Sequence, residues 1–111
     1  MNVGIDIVDI DRIGILVQKY DSAFLNKVFT ERELNEWATR GRRLSFLAGR
    51  FATKEAFFKA SGIKGLRWKD IETLGTIPEI ELKKKKLKNV NLSISHTDKL
   101  ATSVVLIEKI S

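Results

Sequence analysis

The sequence predicts an α+β fold, and three patterns carry this prediction. Apolar and polar residues alternate near the N-terminus and again near the C-terminus, which is the period of a β-strand. Between these regions, apolar residues recur every three or four positions, which is the period of an amphipathic helix. We therefore expect an N-terminal strand, three helices and an antiparallel meander. A chain of 111 residues is expected to form a single domain, 1–111.

The first strand is predicted over residues 3–8, where apolar side chains lie two positions apart. From Asp9 the period changes to that of a helix. Asp6 therefore lies within an apolar strand, and two interpretations of it are open. Asp6 is either a carboxylate that caps the following helix or an acidic ligand of a metal ion.

Two further helical segments precede the middle of the chain. Residues 22–29 are predicted to form a short, apolar-rich helical turn. Thr30 and Glu33 then form a capping box, in which each side chain accepts a hydrogen bond from the backbone amide of the other residue. We expect this helix to end near Ala38, before the basic loop 39–43.

The central helix, predicted over residues 46–60 and ending at Gly62, carries a carboxylate within its apolar stripe. The stripe comprises Leu44, Ala48, Phe51 and Phe58, and Glu55 lies inside it. A carboxylate facing a core is unfavourable unless it is paired, hydrogen-bonded or bound to a cation. Glu55 can pair with Lys59, four residues later. Alternatively, Glu55 faces a site in which three cationic neighbours hold an anion. These neighbours are Arg50, Lys54 and Lys59.

The C-terminal half is predicted to contain strands over residues 68–74, 78–82, 90–94 and 101–107. The last of these is apolar enough to be covered on both faces. The lysine run 83–88 is predicted to be a solvated edge or loop. His96 lies at the final hairpin connection, where it is either a turn residue or a ligand contact.

Composition excludes several chemistries. The chain has no cysteine, which excludes disulfides, thiolate nucleophiles and zinc–cysteine sites, so oxygen ligands or the single histidine must hold any metal. Magnesium or calcium is then expected. The formal net charge of +6 favours a nucleic acid, a phosphorylated cofactor or an acidic protein as partner. No stretch has membrane-spanning length and no signal-peptide pattern opens the chain, so we expect no membrane association and a cytoplasmic location.

Two acidic residues in apolar surroundings, Asp6 and Glu55, remain to be explained. A pair of carboxylates suits Mg²⁺, which keeps several waters and completes its coordination with phosphate oxygens. Arg50, Lys54 and Lys59 would hold the remaining phosphate charge. This combination is typical of phosphoryl-type transfer, in which positioning and charge neutralisation supply most of the catalysis.

At these residues the sequence resembles the holo-acyl-carrier-protein synthases, the small bacterial 4′-phosphopantetheinyl transferases. The matching stretches are 4–13, 46–60 and 93–97, with further support at 28–34, 68–72 and the closing apolar strand. The core of the second stretch, Arg-Phe-x-x-Lys-Glu-Ala, is highly specific when the aspartate strand precedes it and the Ser-His strand follows it.

The resemblance implies an Mg²⁺-dependent enzyme of fatty acid biosynthesis. It would transfer the 4′-phosphopantetheine group of coenzyme A to a serine of the apo acyl carrier protein and release adenosine 3′,5′-bisphosphate. Asp6 and Glu55 would hold the Mg²⁺, and Glu55 would receive the serine proton directly or through a metal-bound water. Lys59 would complete the catalytic set by binding the pyrophosphate.

The resemblance also implies contacts with two partners and with copies of the chain. Cofactor contacts are expected from Arg50, Lys54, Lys59, Gly62, His96 and Thr97. Arg50 and His96 would contact the nucleotide end and its 3′-phosphate. Arg12 and Lys19 would face the acidic carrier protein. Family members look like homotrimers with shared active sites, so a homotrimer is expected here.

Three departures from the family pattern affect these expectations. The loop 62–65 reads Gly-Ile-Lys-Gly where the family usually has Gly-Thr-Gly, and the segment 79–89 is shortened. Ser22 replaces an expected basic residue, so the carrier-protein footprint differs and the lysine run is a candidate substitute.

A basic RNA- or DNA-binding module without catalysis is the alternative function. It would explain the net charge, the arginines of residues 40–43 and the lysine run through phosphate neutralisation. It leaves Asp6 and Glu55 unexplained, and most aromatic residues fall on helical apolar stripes instead of forming a stacking platform.

Overall fold

The structure is a computed structural model and describes residues 1–108. Its elements are β1 (Asn2–Asp9), α1 (Ile10–Tyr20), α2 (Ser22–Val28), α3 (Glu31–Thr39), α4 (Leu44–Ser61), β2 (Ile71–Leu74), β3 (Glu79–Leu82), β4 (Lys85–Lys86), β5 (Val90–His96) and β6 (Leu100–Ile107). The predicted α+β class is confirmed.

The strands form two antiparallel sheets of three strands each. The first has the order β1-β6-β5, so the last strand of the chain lies between the first strand and its own hairpin partner. In its register Asp6 lies opposite Ser103. The second sheet has the order β2-β3-β4, so the strands predicted as one antiparallel meander are divided between two sheets. Helix α4 packs against both sheets.

The number and bounds of the elements differ from the prediction at two places. The short turn at 22–28 is a helix of its own, so the structure describes four helices and not three. Asp21 separates α1 from α2 because its φ of 46° breaks the helical path. Residues 68–70 form a short 3₁₀ turn, so β2 begins at Ile71 and not at Trp68.

Helix starts follow the predicted capping chemistry. Thr30 accepts a hydrogen bond from the Glu33 amide, while Glu33 accepts one from the Thr30 amide, and the capping box is confirmed. The cap of α1 is Asp9, whose carboxylate accepts from the Asp11 amide. The interpretation of Asp6 as the helix cap is therefore wrong.

The face of α4 that lies in the core is not the predicted stripe. Leu44 is 36% exposed, and Phe51 and Phe58 are only half-buried. The fully or nearly buried apolar residues are Leu47, Ala48, Ala52, Ala56, Phe57 and Ala60. Small side chains predominate because the first sheet approaches the helix closely, and the predicted stripe instead meets Trp68 and the first helices.

Gly4 allows this close approach. A β-carbon at position 4 would lie 2.0 Å from the carbonyl oxygen of Ala56 and 2.9 Å from the amide nitrogen of Ala60. Strand β1 thus lies directly against the backbone of α4, and Asp6, two residues further along the same strand face, is held beside the helix.

The outer face of the first sheet remains uncovered in the single chain. Val3, Ile5 and Ile7 point away from α4 and are 62–64% exposed. On β6, only alternate residues are buried, so the expectation that this strand is covered on both faces is not met by the described residues of one chain. The lysine run is exposed, as predicted, at the β3–β4 turn and in β4.

Replacement Gly4→Ala should destabilise the protein by about 2–3 kcal/mol, because the new methyl group would overlap the α4 backbone. Gly14→Ala is the control: its β-carbon would meet only a Leu44 methyl group at 3.0 Å, and alanine favours the helix, so we expect a change within about 1 kcal/mol. Urea denaturation measures both. Equal stabilities of the two variants would contradict the close packing of β1 on α4.

Candidate active site

Strand β1 and helix α4 bring three predicted site residues together. Asp6 projects from the face of β1 that lies against α4 and is half-buried. The Lys59 ammonium, from the last turns of α4, lies 3.1 Å from the Asp6 carboxylate and donates a second hydrogen bond of 3.0 Å to the carbonyl of Ile5. Lys59 is thereby fixed across the edge of the strand.

Glu55 lies beside this pair, one helical turn before Lys59. Burial raises the pKa of the Glu55 carboxyl, the neighbouring Asp6 charge raises it further, and Lys59 offsets only part of the shift. Among the described residues, Lys59 forms its ion pair with Asp6 and not with Glu55. The interpretation of Glu55 as a simple partner of Lys59 is therefore not supported.

The two carboxylates have the properties of a cation site. Each is half-buried, the Asp6 charge lies close enough to raise the pKa of Glu55 beyond the effect of burial, and Lys59 pairs with Asp6 beside them. In residues 1–108 no cluster of three or more metal-binding side chains is found. Two carboxylates without further protein ligands fit Mg²⁺, which fills its remaining positions with water and phosphate oxygens.

Lys54 does not belong to this site, contrary to the sequence-based expectation. Its side chain is fully buried on another side of α4, with the ammonium 2.8 Å from the Glu33 carboxylate. It also donates to the carbonyl oxygens of Trp68 and Ile71. Burial lowers the pKa of Lys54, and the Glu33 charge opposes this shift. The sequence does not reveal this pairing because Glu33 and Lys54 lie on different helices.

Arg50 and His96 line one cleft of about 730 Å³, between the start of α4, the loop before it and strand β5. Arg40, Arg43 and Ser45 also face this cleft. Asp6 and Glu55 do not line it. His96 is the last residue of β5 and is exposed, with Nδ1 3.2 Å from the carbonyl oxygen of Thr97. It therefore lies at the turn and also lines the cleft, so a turn residue and a ligand contact are compatible interpretations.

Arg50 is held by a residue that the sequence analysis did not identify. Its Nη2 donates to the Glu36 carboxylate at 2.8 Å and to the Gly75 carbonyl at 3.1 Å, and its guanidinium lies 4.6 Å from the centre of the Phe46 ring. Glu36 had no distinguishing pattern, because it lies among other charged residues on α3.

The remaining predicted contacts lie outside the cleft. The Thr97 hydroxyl accepts from the amides of Lys99 and Leu100 and so shapes the β5–β6 turn. Gly62 ends α4 in a left-handed conformation, which confirms the predicted glycine cap. Arg12 and Lys19 are exposed on α1, seven residues apart.

Within residues 1–108, none of the helices has the length and apolar character that crossing a membrane requires.

Comparisons with known proteins identify the family of the chain. The sequence model of the 4′-phosphopantetheinyl transferase superfamily matches residues 2–105. The chain is 42% identical to the holo-(acyl-carrier-protein) synthase of Chloroherpeton thalassium, covering 97% of this chain and 98% of that protein. It is 41% identical to that of Chlamydia trachomatis serovar D, covering 96% and 98%.

Solved structures give the same result. The fold superposes on the Helicobacter pylori holo-(acyl-carrier-protein) synthase in complex with coenzyme A, with a TM-score of 0.84, 32% identity and coverage of 96% and 99% of the two chains. For the Bacillus anthracis synthase in complex with CoA (3′,5′-ADP), the TM-score is 0.76 at 33% identity, with coverage of 96% and 94%. The chain therefore belongs to the 4′-phosphopantetheinyl transferase superfamily and, within it, to the holo-(acyl-carrier-protein) synthases.

Proposed function

We propose that this chain transfers the 4′-phosphopantetheine group of coenzyme A to a serine of the apo acyl carrier protein. The observation that carries the proposal is the convergence of Asp6, Glu55 and Lys59 between β1 and α4. The fold is that of synthases whose structures contain coenzyme A, which supports coenzyme A as the donor. We further propose that the reaction depends on Mg²⁺ and releases adenosine 3′,5′-bisphosphate.

The proposed roles follow from the geometry. Asp6 and Glu55 would hold Mg²⁺, which when bound neutralises the charge of the pyrophosphate. Lys59, fixed by Asp6 and the Ile5 carbonyl, would bind a pyrophosphate oxygen. As the serine oxygen bonds to the phosphorus next to the pantetheine arm, the bond from that phosphorus to the nucleotide breaks. Glu55 would receive the serine proton, either directly or through a metal-bound water.

The nucleotide end of coenzyme A would occupy the cleft of Arg50 and His96. The cleft volume of about 730 Å³ lies within the range of small-molecule sites. Three arginines line it, which suits a ligand with a 3′-phosphate. We leave Lys54 out of this proposal because Glu33 and two carbonyls already bind its ammonium.

Helix α1 is the proposed carrier-protein surface. Arg12, Ile15 and Lys19 recur at helical spacing, and all three are exposed, Ile15 by 60%. Two cations around one apolar side chain match an acidic partner with a small apolar contact. The nucleic-acid alternative gains no support here, because Tyr20 is the only exposed Phe, Trp or Tyr within residues 1–108.

The uncovered outer face of the first sheet supports the proposed homotrimer. Val3, Ile5 and Ile7 on β1, with Val104 and Leu106 beside them on β6, form a continuous apolar surface. Such a surface marks an association site. Asp6 lies on the same strand but on the opposite face, so a second chain bound to the outer face would approach the carboxylates only around the edge of β1.

Replacement Glu55→Gln should lower transfer by at least about 100-fold, because it removes a metal ligand and the proton acceptor. The measurement is the mass of the apo carrier protein after incubation with coenzyme A, Mg²⁺ and enzyme. Glu31→Gln, on exposed α3 surface, is the control and should transfer at the wild-type rate. Full activity of the Glu55 variant would contradict the proposed role.

The same replacement should stabilise the metal-free protein. Because the pKa of Glu55 in the folded protein is raised above 4.5, ionised Glu55 disfavours the folded state at higher pH, while the protonated form does not. Without Mg²⁺, we expect the variant to melt a few degrees above wild type at about pH 8, and the difference to vanish below the ordinary pKa of 4.5. Thermal denaturation at both pH values measures it, and a variant that is less stable at high pH would contradict the electrostatic account.

Replacements Arg12→Glu and Lys19→Glu together should raise the KM for the carrier protein about tenfold or more and leave the KM for coenzyme A unchanged, because like charges would then face an acidic partner. Lys85→Glu, in the exposed lysine run, is the comparison. A larger effect of Lys85→Glu than of the α1 pair would identify the lysine run as the docking surface instead.

A further inference from the structure

Glu36 joins two walls of the cleft that Arg40, Arg43 and Arg50 line, here called the arginine cleft. One carboxylate oxygen accepts from Arg50 Nη2 at 2.8 Å, and the other accepts from the Gly75 amide at 2.9 Å. The Gly75 carbonyl in turn accepts from the same Arg50 nitrogen at 3.1 Å. These three hydrogen bonds connect α3, α4 and the end of β2 around one guanidinium group.

Arg50 has hydrogen-bond donors that its protein partners do not use. Both N–H groups of Nη2 are used, by Glu36 and Gly75. Nε is buried and has no hydrogen-bond partner within residues 1–108. Arg50 as a whole is 5% exposed. Nε has almost no accessible surface, so the unused donors of Arg50 that a ligand in the cleft can reach are those of Nη1.

Glu36 also acts on a second arginine of the cleft. The Arg40 guanidinium lies 5.5 Å from the centre of the same Phe46 ring as that of Arg50, and it donates to the Thr76 hydroxyl at 3.3 Å. Burial raises the pKa of Glu36, but the Gly75 amide and the two arginines outweigh this and lower it overall, so the carboxylate is ionised at neutral pH. Its charge offsets the repulsion between two cations that share one aromatic ring.

We propose that Glu36 is the positioning residue that orients Arg50 towards the 3′-phosphate of the nucleotide and so determines the preference for 3′-phosphorylated ligands. Glu36 does not touch the ligand. It uses Nη2 and thereby leaves Nη1 to donate to the bound anion. The inference rests on the proposed function in that it takes the cleft to be the nucleotide site.

The test measures binding, so that it does not require transfer. Adenosine 3′,5′-bisphosphate and adenosine 5′-monophosphate are titrated by calorimetry into the full chain, and the ratio of their dissociation constants gives the 3′-phosphate preference. In Glu36→Gln this preference should fall about tenfold, because an amide cannot accept from both Arg50 and Gly75 with the strength of a carboxylate. Glu31→Gln, on the same helix, should keep the wild-type preference.

The outcomes separate this inference from the proposed function. If Glu36→Gln weakens the binding of both nucleotides equally, or keeps the wild-type preference, the inference is overturned. Transfer to the carrier protein by the wild type would then leave the proposed function intact. If the wild type transfers nothing to the carrier protein but Glu36→Gln still loses the preference, the inference stands and the proposed function fails. If Arg50→Lys retains the full preference, another group reads the 3′-phosphate and the inference is overturned.

Discussion

The contact between Gly4 and the backbone of α4 determines where the candidate site lies. A β-carbon at Gly4 would overlap the Ala56 carbonyl, so the strand and the helix are as close as two backbones can pack. Asp6 follows on the same strand face, and Glu55 and Lys59 flank Ala56 on the helix. Apolar packing consequently holds two like charges together, and burial, followed by the Asp6 charge, raises the pKa of Glu55. The fold supplies the free energy that this arrangement requires.

Two carboxylates of α3 bind the free edge of the second sheet, β2-β3-β4. Strand β2 is an edge strand, and the amides of Thr73 and Gly75 donate to Glu33 and Glu36. These carboxylates, three residues apart on α3, also pair with Lys54 and Arg50 on α4. Helix α3 therefore satisfies edge amides that would otherwise need a strand or water. The buried charges of α4 are explained by this role, which makes Lys54 a structural residue.

The sequence predicted much of the fold because most of its signals are local. The capping box, the Gly62 cap and the alternating strands depend on residues close in the chain, and all three are confirmed. The face of α4 was predicted wrongly because the helix is surrounded on most sides, so its apolar residues form no single stripe. Periodicity cannot indicate that Lys54 and Arg50 are buried, since their partners are on another helix. The proximity of Asp6 and Glu55 followed from chemistry and resemblance, whereas the bridge through Glu36 is visible only in three dimensions.

The hydrogen bond from Lys59 to the Ile5 carbonyl has a consequence for solubility. In the part of the chain that the structure describes, strand β1 pairs only with β6, so its other edge presents backbone groups without a strand partner. A strand from another molecule could add there and begin an aggregate. The Lys59 ammonium occupies an acceptor of that side and places a positive charge in the path of an incoming strand. The same lysine thus shields the strand edge of the single chain and lies beside the carboxylates.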